Sequence, residues 1–243
     1  MFLFNSNYIL FVLLPTMALA FFAQWWVKNA FKEASQIPNK QRITGAEAAY
    51  RVLQSANLNL RIEPTRPGAP GLGNGASPDL DDHYDPREKV LRLSPNVYGS
   101  ASIAAVAVAA HEAGHALQDA EGYSLMRARS ALVPAANIGS NFGFILVFVG
   151  LILQSTGIAW LGVAAFSLGV LFSLITLPVE LDASSRALKL LTTTGIVDNT
   201  EMSQAKSVLR AAAFTYVAGL AASLLNLLYY VSLVMGIGGR RSN

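Results

Sequence analysis

Cysteine is absent from this chain of 243 residues. The chain therefore has no disulfide, no thiolate metal ligand and no cysteine nucleophile, and any zinc would have to be held by His, Asp or Glu. Charge is also scarce, since 14% of the residues are charged, whereas a soluble domain carries about 25%. Together with a hydrophobic content of 53%, this composition indicates an integral membrane protein.

Clusters of basic residues are equally scarce. The net charge is +3, and no basic run is interleaved with aromatic residues, so nucleic acid is not an expected partner. The N-terminus lacks the basic segment that opens a signal peptide. Because the apolar run at residues 8–27 is also longer than the core of a signal peptide, we interpret it as an uncleaved first membrane span.

Four apolar stretches are long enough to cross a bilayer, which takes about 20 residues. They are residues 8–27, 131–153, 158–179 and 211–235. Lys28 and Lys32 follow the first stretch, and Arg127 and Arg129 precede the second. Basic residues mark the cytoplasmic flank of a span. The sequence therefore predicts a multi-pass protein of the cell membrane, with its N-terminus outside and residues 28–130 and 180–210 on the cytoplasmic side.

Residues 28–130 are predicted to form a small α+β part. A capping box at residues 44–47 begins a short helix over 45–55. Alternating apolar residues predict strands at 58–62 and 90–93, and the Pro-, Gly-, Asp- and Asn-rich residues 66–86 predict a loop. The fold class is therefore mainly α, with four transmembrane helices and a small zincin-like part. A free strand edge there could pair with an extended peptide, although two strands of an ordinary small sheet would give the same pattern.

The sequence HEAGH at residues 111–115 is the feature that carries chemistry, and we expect it on a helix over residues 100–120. Positions four apart share a helix face, so His111 and His115 can direct two imidazoles at one metal ion. Glu112 is placed to take a proton from a water. A glycine such as Gly114 destabilises a helix by about 1 kcal/mol relative to alanine, so we expect a packing or functional reason for its presence. The alternative, two ordinary histidines on an alanine-rich helix, is weakened because the chain has only three histidines.

A catalytic zinc site has three protein ligands and leaves a fourth position for water. Glu180 is the preferred third ligand, because a carboxylate at the end of a span is costly to leave unpaired. Asp182 and His83 are alternatives. Asp182 could instead pair with Arg186 four residues later, and His83 could instead contact substrate or solvent. Two crossings separate Glu180 from the HEAGH motif, so both reach the same side of the membrane.

Several segments resemble the YugP-type membrane zinc metallopeptidases. They are residues 44–47, 82–95, 108–118, 129–134, 177–188 and 211–218. The resemblance implies a neutral zinc metallopeptidase of the inner or plasma membrane. The chain is more distantly similar to the HtpX-like and CAAX-prenyl-protease zincins, whose later E-x-x-A-D motif supplies a Glu ligand and a supporting Asp. That similarity implies that Glu180 is a ligand. The supporting position is Ser184 here, which leaves the support open, and Asp182 or Asp85 could supply a carboxylate that orients a histidine.

The expected function is zinc-dependent hydrolysis of peptide bonds in membrane or membrane-associated proteins. His111, His115 and Glu180 would hold the zinc, and Glu112 would act as the general base. His83 or Tyr84 would donate a hydrogen bond to the developing oxyanion. The alternative is a membrane scaffold or adaptor with a structural zinc site, which would have four protein ligands and no need of a base. A transporter ranks last, because the second and third spans contain no acid or base.

Overall fold

A computed structural model of the protein describes residues 6–65 and 81–241. Seven helices are described, which are α1 Ser6–Ser35, α2 Gly45–Ser55, α3 Pro95–Tyr98, α4 Ile103–Ala120, α5 Ser124–Ile152, α6 Thr156–Thr193 and α7 Met202–Arg241. The three strands described are β1 Arg61–Pro64, β2 His83–Asp85 and β3 Val90–Leu93. The predicted mainly helical composition with a small sheet is confirmed.

Four helices in the described part of the chain, α1, α5, α6 and α7, are long and apolar enough to cross a membrane. Each contains one of the apolar stretches identified in the sequence. The helices continue past those stretches: α6 runs without a break to Thr193, so it carries residues 180–193 beyond the apolar segment. Likewise, α7 joins the polar residues from Met202 onward to the last apolar stretch.

The chain divides into two compact units. The first comprises Met1–Gln24, Ser124–Pro178 and Phe214–Asn243. Within it, α5 and α6 approach closely at glycines: a Cβ placed on Gly143 would lie 2.6 Å from the backbone nitrogen of Phe166. Small residues let helix backbones pack at this distance, which is how helices associate where water supplies no driving force.

The second unit comprises Trp25–Tyr123 and Val179–Ala213. Its sheet has the order β1-β3-β2, with β1 parallel to β3 and β2 antiparallel to it. Leu91, in the central strand, pairs with Ile62 and Tyr84 and is fully buried. The predicted capping box is present, since Thr44 Oγ1 accepts from the Glu47 amide at 3.2 Å and Thr44 N donates to the Glu47 carboxylate at 2.7 Å.

The strand boundaries differ from the prediction in two places. The strand expected at 58–62 begins at Arg61. The loop prediction for 66–86 is wrong for His83–Asp85, which form β2; residues 66–80 lie outside the described residues. Three residues are too few to show alternation, and β2 is held by tertiary contacts, namely its pairing with β3 and the bond from Tyr84 Oη to Asp119 at 2.6 Å. A sequence pattern does not encode such contacts.

The helix expected over 100–120 begins slightly later. Ser102 is its N-cap, and the Ser102 hydroxyl accepts a hydrogen bond from the Ala105 amide at 3.2 Å. The apolar first half of α4 is buried apart from the half-buried Val108, and Ala113 and Ala116 around the motif are buried too. The helix is therefore fixed on most sides before it reaches the motif, which restricts where the motif side chains can point.

Candidate metal centre

The second unit brings His111, His115 and Glu180 together. The two histidines lie on α4 and Glu180 lies on α6. Glu180 Oε2 is 3.2 Å from His111 Nε2 and 3.5 Å from His115 Nε2. One ligand atom from each of the three residues lies within 4.8 Å of the others. Two imidazole nitrogens and one carboxylate oxygen are a donor set that suits Zn²⁺.

The second nitrogen of each ring has a separate partner, which supports the fit to a metal. His111 Nδ1 lies 3.1 Å from the hydroxyl of Ser184, and His115 Nδ1 lies 2.9 Å from Oε1 of Gln118. Both Nε2 atoms are thereby directed at the Glu180 carboxylate. Metal-binding histidines usually have their other ring nitrogen held in this way, because that contact fixes the ring orientation.

In this buried cluster, the Glu180 carboxylate and the imidazole of His115 shift each other's pKa. Glu180 is 2% exposed; burial alone would raise the pKa of its carboxyl, but the facing imidazoles hold that pKa well below the usual range. Burial lowers the pKa of His115, but the Glu180 carboxylate outweighs it and raises the pKa to about 8. The carboxylate is therefore held in the form that binds a metal, whereas His115 would have to lose its proton to bind one.

Gly114 explains how α4 and α6 come close enough to form this centre. A Cβ at this position would lie 2.7 Å from the carbonyl oxygen of Ala183 and 3.3 Å from its Cα. Any larger residue would push against the α6 backbone three residues after Glu180. The close approach of the two helices is therefore the packing reason for a glycine at this position.

Glu112 lies beside the three-residue cluster and outside it. Its Oε2 accepts a hydrogen bond from the backbone amide of Tyr84 at 3.1 Å, and the residue is 9% exposed. The Tyr84 hydroxyl donates to Asp119, also on α4, at 2.6 Å. Strand β2 is thus attached to α4 at two points, one of which fixes the Glu112 carboxylate.

The other candidate residues occupy different positions. His83 lies on β2 opposite Arg92, with Nδ1 3.3 Å from the carbonyl oxygen of Asp81; its catalytic role stays a prediction. Asp85 accepts from Arg92 at 3.0 Å, and Asp182 accepts from Gln118 Nε2 at 2.8 Å. His83, Asp85 and Asp182 all lie outside the cluster of His111, His115 and Glu180.

Sequence reasoning missed two polar residues near the centre. Gln118 lies three residues after His115, a spacing that places both on one face of α4 and could have identified it. Asp82 accepts hydrogen bonds from Ser94, with its Oδ1 2.7 Å from the Ser94 amide. Burial, with the charge of Glu112 adding to it, raises the pKa of Asp82 to about 7. No spacing rule connects Asp82 with Glu112, so only the fold shows this proximity.

Comparison with known proteins places the chain in a family. Residues 9–235 match the family described as "Putative neutral zinc metallopeptidase". The chain is 39% identical over 235 residues to the "Putative membrane protease YugP" of Bacillus subtilis (strain 168), which covers 96% of this chain and 99% of that protein. No solved structure matches the chain. The match extends over nearly the whole chain, including all four apolar helices and the candidate centre, and the chain therefore belongs to the neutral zinc metallopeptidase family.

Proposed function

We propose that the protein is a membrane-bound zinc endopeptidase with Glu112 as its general base. The observation that carries the proposal is the arrangement of His111, His115 and Glu180 as a three-residue cluster with a fourth, separately held carboxylate beside it. Within the described residues, the cluster has three members, which is the number that a catalytic zinc site uses. The family and the relative named as a membrane protease support the same activity.

The mechanism assigns separate tasks to these residues. His111, His115 and Glu180 would hold zinc, which when bound supplies a Lewis acid that activates water and polarises the scissile carbonyl. The Tyr84 amide orients the Glu112 carboxylate through one oxygen, which leaves the other free to accept the proton of the water. Glu112 then returns that proton to the leaving amine. His83, the neighbour of Tyr84 on β2, is our candidate donor to the developing oxyanion.

The position of β2 supports a peptide as the substrate. Within the described residues this strand is at the edge of the sheet, and its Tyr84 amide points away from β3 and donates to Glu112. An extended peptide adds to a strand edge through main-chain hydrogen bonds, so with the Tyr84 amide held by Glu112 it would pair through the carbonyl groups of the strand. A peptide added there would pass close to the general base. Because Glu180 lies on α6, one of the helices long and apolar enough to cross a membrane, we propose membrane or membrane-associated proteins as substrates.

Zinc content and proteolysis together test the proposal. The protein is purified in detergent, and zinc per chain and hydrolysis of fluorescently labelled β-casein are measured for wild type, Glu112→Gln, Glu180→Ala and His83→Ala. We expect about one zinc per chain in wild type, retained in Glu112→Gln and His83→Ala and lost in Glu180→Ala. Hydrolysis should be abolished in both glutamate variants, and 1,10-phenanthroline should abolish it in wild type.

The same measurements identify the competing function. A membrane scaffold with a structural zinc site would need four protein ligands and would not need Glu112 as a base. Zinc that survives the loss of Glu180 but not of Glu112 or His83 would favour the scaffold. Hydrolysis that persists in Glu112→Gln, at the wild-type rate and still inhibited by the chelator, would contradict the proposed mechanism.

We also propose that the metal centre is cytoplasmic, because the basic residues near the spans concentrate on that side. The chain has no cysteine, so single cysteines can be introduced without background. A Cβ at Gly157, in the first turn of α6, meets nothing within 4 Å, and Arg87, after β2, is exposed. In intact cells, an impermeant maleimide should label Gly157→Cys and should label Arg87→Cys only after permeabilisation. The reverse pattern would invert the topology.

A further inference from the structure

We propose that Gln118 is a positioning residue that holds His115 in the tautomer with hydrogen on Nδ1, so that Nε2 is free to bind the metal. The proposal rests on the zinc centre proposed above. It assigns a role to a fully buried side chain, which acts only through His115.

The direction of the Gln118 side-chain amide follows from its partners. Its Nε2 lies 2.8 Å from the carbonyl oxygen of Val179 and 2.8 Å from Oδ2 of Asp182. A carbonyl oxygen and an ionised carboxylate accept hydrogen bonds only, so both hydrogens of the amide must point at them. The amide oxygen Oε1 therefore faces His115.

This direction determines where the hydrogen on His115 resides. Gln118 Oε1 is 2.9 Å from His115 Nδ1. An amide oxygen can only accept, so Nδ1 must carry the hydrogen that it receives. In the neutral ring, the lone pair is then on Nε2, the atom that faces Glu180 at 3.5 Å.

Burial makes the amide difficult to reorient. Gln118 is 0% exposed, so water cannot replace any of its three partners. A flipped amide would place its oxygen against two acceptors and its NH2 group against a nitrogen that carries hydrogen. Such a flip is unfavourable, because buried polar groups would be left without hydrogen-bond partners.

Further contacts fix Asp182, the acceptor of the Gln118 amide. Its Oδ2 also accepts from Arg186 Nε at 2.6 Å, and Arg186 Nη1 donates to Glu121 at 2.7 Å. Glu121 directly follows α4, while Asp182 and Arg186 lie on α6. The hydrogen bonds thus connect both helices around Gln118.

The second histidine is held less specifically. His111 Nδ1 contacts the hydroxyl of Ser184 at 3.1 Å. A hydroxyl can donate or accept, so it does not select a tautomer. Ser184 is also partly exposed, so water can replace its hydroxyl. The structure therefore predicts that the centre depends on Gln118 more strongly than on Ser184.

Zinc affinity in matched variants tests this asymmetry. The dissociation constant is measured by chelator competition for wild type, Gln118→Met and Ser184→Ala, with circular dichroism as a check of folding. We expect a rise of about 10–100-fold in Gln118→Met, the usual range for loss of a partner that orients a ligand, and less than about fivefold in Ser184→Ala. A folded Gln118→Met with wild-type affinity would overturn the inference.

Nitrogen NMR on protein labelled with 15N-histidine gives a readout that does not depend on activity. With three histidines in the chain, the ring signals can be assigned by single substitutions. In the zinc-loaded wild type, His115 should show a slowly exchanging hydrogen on Nδ1, and this exchange should be faster in Asp182→Ala. A His115 ring without hydrogen on Nδ1 overturns the proposal, even if Gln118→Met does not fold.

The two proposals can fail separately. A wild-type chain that binds no zinc overturns the proposed function and this inference with it. Normal zinc binding and proteolysis in wild type, combined with no change in Gln118→Met, overturns the inference alone.

Discussion

Replacing Gly114 by alanine tests whether close contact between α4 and α6 builds the metal centre. The added Cβ would lie 2.7 Å from the carbonyl oxygen of Ala183, whereas ordinary van der Waals contact begins at 3.4 Å. The obstructing atom belongs to a helix backbone and cannot rotate away. The helices would therefore have to separate locally by about 0.7 Å, and this displacement would occur three residues from Glu180.

The effects on folding and on metal binding should differ in size. Alanine is favoured over glycine within a helix by about 1 kcal/mol, while overpacking costs about 1–3 kcal/mol. The net loss of unfolding free energy should therefore be about 0–2 kcal/mol. A metal site tolerates errors of only about 0.2 Å in its ligand distances, so a displacement of Glu180 should lower zinc affinity at least about tenfold, or 1.4 kcal/mol.

Chelator competition measures the zinc affinity of Gly114→Ala, and thermal unfolding of the metal-free protein measures its stability. Gly219→Ala on α7 is the matched control, because a Cβ there meets nothing within 4 Å. The control should bind zinc as wild type does. If Gly114→Ala binds zinc with wild-type affinity and melts no lower than wild type, the two helices are not in tight contact at this position, and the reasoning is refuted.

Three further perturbations have defined outcomes. Because the pKa of Asp82 is raised to about 7, its protonated form contributes fully to stability below pH 4, and this contribution is lost as pH rises through 7. The free energy of unfolding of Asp82→Asn, measured by denaturation, should therefore exceed that of wild type by about 2 kcal/mol at pH 8 and by less at pH 5. Tyr84→Phe removes the donor to Asp119 and should cost about 1 kcal/mol in thermal unfolding without changing zinc content. A chelator should lower the melting temperature of wild type and leave that of Glu180→Ala unchanged.

The positions fixed by local spacing could be predicted from the sequence. His111 and His115 are four residues apart on a helix, and the structure directs both at one point. The four apolar stretches predicted four long helices, and four are present in the described residues. In both cases one segment of chain contains the whole signal, namely a helical repeat or a length of apolar residues.

Contacts between distant segments could not be predicted in this way. Strand β2 has three residues, and its pairing with β3 and its bond to Glu112 both depend on segments elsewhere in the chain. The proximity of Asp82 to Glu112 arises from the same packing. Short strands have weak propensity signals, because a strand is stabilised mostly by what it packs against.

Helix geometry explains how Glu180, Asp182 and Ser184 divide their tasks, although the sequence left Asp182 open as a ligand. Residues two apart on a helix point about 200° apart, whereas residues four apart share a face. Glu180 and Ser184 therefore both face α4, where one meets His111 Nε2 and the other meets His111 Nδ1. Asp182 points to the side and reaches the centre only through Gln118. Once Glu180 is accepted as a ligand, the same spacing makes Asp182 a support for a ligand and excludes it as a fourth one.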